Sequence, residues 1–374
     1  MEVRCTRNCK KKDKQGRCLA EAISIEETGC GAFIRVPEFE PFRADNVVIY
    51  DKAGIPSIMV RFSRVTDNEL FGGSHRPHPA FVVDGKVYDE IYISKYPNTV
   101  INGRAYSLPM TKPEVNVTYD EAVNLCRAKG EGWHLWTAAE RGLIANICHK
   151  NEVFPHGNTN CGDWHGDNSE KGKTYDGGYK TLTGSGPATW NHDHTPFGVS
   201  DLCGNIWEWF AGMRLMDGVI EVIPDNNAAA DIDMSKDSDK WVALMKDGKP
   251  IRINAEDGGL KFTTEESGMD YDGCEWGDAE FEFDATEQMK ELALYPGEPE
   301  AYLYADTEGE RLPIAGGFWR TGAGAGVFNL HLAGARSSSA ATSASAPLFM
   351  ESWTLRFDIC KAAVKPPYSK EQVC

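Results

Sequence analysis

The sequence predicts an α+β domain that begins and ends on strands, preceded by a small cysteine module and interrupted by an acidic segment. Three observations carry that expectation. Strand patterns open and close residues 80–360, two helices with capping boxes lie between them, and the whole net charge of −17 falls within one block.

Taken in order, residues 1–33 hold Cys5, Cys9, Cys18 and Cys30 at the spacing C-x3-C-x8-C-x11-C. A segment this short builds no core, so it needs a metal or disulfides to fold. Four thiolates in two clusters, with a polar turn between Lys10 and Arg17, suit a tetrahedral zinc site. The spacing lacks paired CxxC units, so disulfides or an unstructured arm stay open beside zinc. The stretch resembles a small four-cysteine domain of unassigned function found in bacterial proteins, through its cysteines, Asn8, Gly16-Arg17 and Ala22-Ile23. Residues 34–79 read as a connector with a strand in Ile55–Val65 and a loop from Gly72 to Pro79.

Phe81-Val82-Val83, Asp84-Gly85 and Val87–Ile93 spell a hairpin with a tight turn. Thr118 precedes Glu121 by three residues, which opens a helix over Tyr119–Lys129; Thr137 and Glu140 repeat the device for a helix to about Lys150. Residues 151–197, rich in Gly, Asn, Asp, His and Thr, form a long loop.

The acidic insertion, about residues 225–310, carries 24 acidic and 7 basic residues, and the rest of the chain is balanced. That block excludes a polyanionic partner such as nucleic acid, and reads as a solvated insertion. Short strand-like pieces at Val219–Ile223, Pro250–Asn254 and Leu260–Thr263 and a helix over Ala285–Leu294 fall in or beside it. Residues 316–345 are Gly, Ala, Ser and Thr with apolar residues spaced among them. A closing strand, Trp353–Ile359, and a tail, 361–374, follow. The chain lacks eighteen consecutive apolar residues, so no membrane span is expected, and Met1–Cys5 lacks the apolar start of a secretory signal. The cysteines beyond the first four are expected as buried, reduced thiols.

Four segments resemble the formylglycine-generating-enzyme branch of the C-type-lectin fold. They are Trp133-His134-Leu135-Trp136-Thr137-Ala138-Ala139-Glu140, Pro155-His156-Gly157-Asn158-Thr159-Asn160, the run Asp201-Leu202-Cys203-Gly204-Asn205-Ile206-Trp207-Glu208-Trp209, and Gly316-Gly317-Phe318-Trp319 with Leu355-Arg356-Phe357. The third is the most specific, and its first reading is a core motif with both tryptophans on one strand face. The resemblance also implies a calcium option at Asn205 and Glu208, whose oxygens suit that ion. Arg141 departs from the pattern by standing where an aromatic residue is usual. The enzymes of this branch need a copper-binding cysteine pair before the closing strand. Phe328–Ser345 contains no cysteine, so no copper and no such chemistry are expected.

The same segment resembles the variable region of proteins diversified by diversity-generating retroelements. The scaffold is carried by Gly316-Gly317, Trp319, Gly322-Ala323, Ala325-Gly326-Val327-Phe328, Leu330, Leu332, Ala335-Arg336-Ser337 and Ser339. The resemblance then marks Phe318, Arg320, Thr321, Gly324, His331, Ala333, Gly334, Ser338, Ala340, Ala341 and Thr342 as open, ligand-facing positions. Randomised adenines in asparagine codons never yield Lys, Glu, Gln, Met or Trp, and all eleven open positions obey that rule. Chance alone would give this about one time in ten. The resemblance implies a non-catalytic binder of a protein or glycan on a bacterial surface, carried on a virion or displayed on a cell surface by a non-classical route. The competing expectation is an enzyme of the same fold with altered chemistry.

Overall fold

The computed structural model describes residues 45–256 and 259–338, and the backbone of the short strands Ile25–Glu26, Gly29–Cys30, Thr342–Ser343 and Leu348–Phe349. The chain divides into two units, Met1–Arg43 and Ala44–Cys374. In the first, the two short strands pair antiparallel. Cys5, Cys9 and Cys18 lie outside the described residues, as do the Cys30 side chain and with it the zinc expectation.

The second unit is built mostly of strands. Apolar alternation along β1 (Asp45–Tyr50) and β2 (Pro56–Ser63) makes a hairpin, and β2 also pairs with β3 (Glu90–Ser94). Leu348–Phe349 pairs with β3, so the two ends of the domain share a sheet. The strand expected at Trp353–Ile359 lies outside the described residues. Between β2 and β3 stands a short helix, α1 (Asp67–Phe71), with a Thr66–Glu69 capping box. The Asp84-Gly85 turn forms as expected, both residues taking positive φ (49° and 71°), but its hairpin is short: Val82–Val83 pairs with Lys86–Val87, while Glu90–Ser94 pairs with β2.

The two capped helices are present as α2 (Tyr119–Arg127) and α3 (Ala138–Asn151). Every α3 residue from Ala138 to Cys148 is buried, so α3 is the internal prop of the domain. A large sheet follows from β4 (Trp207–Trp209), β5 (Met213–Met216), β6 (Val219–Val222), β7 (Arg252–Glu256), β8 (Gly259–Thr263), β9 (Tyr271–Glu275), β10 (Tyr302–Asp306), β11 (Glu310–Gly316) and β12 (Gly326–Gly334). Its main order is β9-β10-β12-β11-β5-β6-β7-β8, with β4 joined to β11.

One expectation is corrected here. The acidic segment is not a solvated appendage: it supplies β7 to β10 to the sheet and buries Ile253, Phe262, Trp276 and Leu303 completely. Most of its acidic residues, such as Asp231, Asp237, Glu265 and Asp278, lie in the loops and turns between strands whose alternate residues enter the core. The helix expected over Ala285–Leu294 is only α4 (Glu287–Glu291), capped by Thr286 and ended where Ala293 turns to φ 54°.

Candidate ligand-binding face

The Asp201–Trp209 run works as a fastener. Gly204 and Asn205 both take left-handed backbone, φ 73° and 61°, and a side chain on Gly204 would meet the Asn158 carbonyl at 2.2 Å. Asn205 Oδ1 accepts from Asn158 Nδ2 at 3.0 Å and from the Thr181 amide at 2.8 Å, while its Nδ2 donates to Thr181 O at 3.1 Å. Both lone pairs of that oxygen are engaged by N–H donors of the fold. Glu208 is buried in β4 beside a small cavity that Trp136, Arg141 and Gly316 also line.

The fastener reaches the segment at 316–322. Gly204 N donates to Gly316 O at 2.8 Å, Trp319 N to Asn205 O at 3.1 Å, Cys161 N to Trp319 O at 2.8 Å and Gly322 N to Thr159 O at 3.1 Å. Within the turn, Phe318 N donates to Thr321 Oγ1 at 2.8 Å, so the Thr321 hydroxyl also closes it.

Beyond that turn runs β12, held from below by side chains of other elements. Arg141, the departure noted in the sequence, is buried, and its Nη2 donates to Val327 O (2.9 Å) and Asn329 O (3.2 Å). Burial brings its pKa down to about 10, with the charge of Glu298 opposing. Trp276 Nε1 donates to Phe328 O at 2.8 Å. Glu298 accepts from Phe328 N at 3.3 Å, and its burial pushes its carboxyl up to about 7.

On this frame lies a continuous band of seven rings. In order they are Tyr302, Tyr304, His331, Trp207, Phe318, Trp319 and Tyr179, with successive centroids 5.4, 5.3, 5.5, 6.2, 5.6 and 4.9 Å apart. Burial lowers the pKa of His331, which favours the neutral ring at pH 7. Four of the seven rings lie outside the 316–345 segment. Sequence reading missed them; only the alternation of Tyr302 and Tyr304 with buried Leu303 and Ala305 could have marked two of them.

The open positions separate by environment. Arg320 is exposed, while Phe318, Thr321, His331, Ala333 and Ser338 are half-buried. Gly324 and Gly334 are buried, and a side chain on either would press on Tyr302 (2.1 Å) or Trp209 (3.0 Å). Ala340 and Ala341 lie outside the described residues, and Thr342 is described only as backbone paired with Trp207.

Of the scattered cysteines, Cys126, Cys148, Cys203 and Cys274 are buried free thiols as expected, and Cys161 is exposed. Cys360 and Cys374 lie outside the described residues. Burial pushes the Cys148 and Cys203 thiols well up, away from the reactive thiolate. Among the described residues, one group of carboxylates has metal-ligating proximity: Asp67, Glu287 and Glu291, within 4.8 Å of one another. Arg76 pairs with all three. No described helix is long and apolar enough to cross a membrane.

The arrangement is that of a strand-rich domain, compatible with a C-type-lectin-like fold, with a ring-lined sheet face. Residues 79–217 match the family described as the sulfatase-modifying factor enzyme 1-like domain, from the Asp84-Gly85 hairpin through the Asp201–Trp209 run to β5. The match ends before the insertion and before β12. No curated protein matches the chain.

Proposed function

We propose that the chain is a non-catalytic ligand-binding protein whose C-terminal segment is a diversified surface. The observation that carries this reading is the division of labour along β12. Phe328, Leu330 and Leu332 are wholly buried, whereas the open positions His331 and Ala333 are partly exposed beside Phe318 and Arg320. Fixed apolar residues anchor the strand and the interleaved residues are available to a partner. The target is a protein or glycan on a bacterial surface, and the carrier a virion or cell surface on which the cysteine module docks.

The test is deep sequencing of the coding DNA over codons 318–342 and its flanks in a population of the source organism. Changes concentrated at the open codons, with a nearby near-copy carrying adenines there, support the reading. Codons as invariant as their neighbours, with no such copy, overturn it. A copper titration of the chain with Cys5, Cys9, Cys18 and Cys30 changed to Ser tests the alternative of an enzyme with altered chemistry, because the 328–345 segment of a binder offers no thiolate pair for stoichiometric copper.

A further inference from the structure

The insertion and the open segment meet at β10 and β12, which run parallel with Tyr304 opposite His331. This pairing places two insertion tyrosines in the ring band, with their centroids 5.4 Å and their planes 17° apart. A side-chain carbon added to Gly324 would sit 2.1 Å from the Tyr302 ring, and one added to Gly273 would sit 2.3 Å from the Tyr304 ring. Each ring therefore packs against a glycine, in space that a side chain there would fill. Both side chains remain half-buried, not covered. Among the described residues, no lysine or arginine of the chain stands over either ring, although such pairs occur elsewhere, as with Lys129 over Trp133.

Carboxylates lie beside these rings in the sheet. Glu275 stands directly across from Tyr302 on β9, and Asp306, on the same face of β10 as both tyrosines, is paired with Arg311. A ring face attracts a cation through its quadrupole, and a neighbouring carboxylate adds Coulomb attraction and accepts the cation's hydrogen bonds. An anionic partner is repelled by the same residues.

We propose that Tyr302, Tyr304 and Glu275 form a fixed half of the binding face, which takes arginine or lysine side chains of a protein target. The open positions on β12 and the 316–322 turn select among such targets. This rests on the binder reading above and adds the chemical class of the partner.

The test uses the full chain and a panel of four probes. These are a glycine-flanked tetra-arginine peptide, its tetra-citrulline counterpart of equal shape without charge, a tetra-glutamate peptide, and a neutral N-acetylglucosamine tetramer. Affinities are measured by calorimetry for the unsubstituted protein and for Tyr302→Leu and Tyr304→Leu, which keep apolar bulk and net charge but remove the ring. Tyr50→Leu, at an exposed tyrosine on β1, is the control, and thermal melts confirm that each variant folds.

The expected result is saturable binding of the arginine peptide, at least tenfold weaker for citrulline. Each of the two insertion variants is expected to lose at least fivefold, and Tyr50→Leu to lose nothing. Arginine binding that ignores Tyr302 and Tyr304 would be attraction to net charge alone and would overturn the proposal. So would binding of the saccharide in place of the peptide. Neither failure touches the diversified reading, which stands or falls on its codons. Conversely, invariant codons with ring-dependent arginine binding would leave a receptor of fixed specificity.

Discussion

Arg336 grips Glu310 with two parallel hydrogen bonds, Nε to Oε2 at 3.0 Å and Nη2 to Oε1 at 2.9 Å, while Arg214 reaches the same carboxylate at 2.9 Å. Arg336 also meets Asp120 at the start of α2 (2.8 Å), so the chain just past β12 is tied to a helix and to β11. Glu310→Ala would remove three charge-assisted hydrogen bonds while leaving Arg214 its bond to Glu221 and Arg336 its bond to Asp120, at a cost of about 1.5–3 kcal/mol. Urea unfolding measures this. Arg336→Ala is expected to cost less, because Arg214 still holds the carboxylate.

The same carboxylate sets an acid limb of stability. Burial pushes the Glu310 carboxyl up, but the hydrogen bonds and charges of Arg336 and Arg214 outweigh burial and hold it below its ordinary 4.5. A folded value below the unfolded one means stability that is fully present above the unfolded value and lost as pH falls through the folded one. The urea midpoint should therefore decline more steeply below pH 4.5 in the unsubstituted protein than in Glu310→Gln. Parallel declines would remove Glu310 as a contributor.

Asp67 has the opposite sign. Its burial, opposed by the charge of Arg76 and reinforced by Glu287, pushes its carboxyl up to about 6. The folded state thus retains a proton that the unfolded chain releases, and the associated stability is lost as pH rises from 4 to 6 and beyond. Asp67→Asn, which cannot ionise, should flatten the melting temperature between pH 5 and pH 7.5. An unchanged slope in that variant would place its source elsewhere.

Asn205→Ala removes three buried hydrogen bonds and puts a β-carbon without a polar group in left-handed backbone. A loss of at least about 3 kcal/mol is expected. Because the Asn205 oxygen is already engaged by two N–H donors, added calcium should leave the melting temperature of the unsubstituted protein unchanged. A rise on calcium addition that Asn205→Ala abolishes would support the calcium reading.

Natural variation, if the segment is diversified, should be uneven. Position 320 is exposed and position 333 is partly exposed, whereas Gly324 and Gly334 are buried beneath Tyr302 and beside Trp209. A branched residue at 324 overpacks by about 1–3 kcal/mol. Population sequencing should find glycine retained at 324 and 334 in expressed, folded variants while 320 and 333 roam. Equal variation at all four would contradict this packing.

Local chemistry made part of this legible. The capping boxes at Thr118 and Thr137 announced α2 and α3 to within two residues because the hydrogen bonds that start a helix are local. The Asp84-Gly85 turn and the spacing of Phe328, Leu330 and Leu332 were legible for the same reason. The pairing of β10 with β12 was not. It is a parallel contact reached only after β11, and the acidity of the segment around β10 masked its alternating buried residues. Arg141 was visible as an anomaly but not as the donor to Val327 and Asn329, since those partners lie far along the chain. The ring band was half legible, because Trp207, Tyr302, Tyr304 and Tyr179 come from segments with no shared motif.

The carbonyls of three successive β12 residues, Val327, Phe328 and Asn329, are each held by a side chain that enters from another element: Arg141 for the outer two, Trp276 for the middle one. Neither donor belongs to the open positions. The strand's place in space is therefore set by grips on its peptide groups, indifferent to what its outward side chains are. Substitution at His331 or Ala333 alters the texture of the surface without moving its coordinates. Change is thus cheap in structural terms: a new residue arrives in a mount already built for it, between rings carried by other strands.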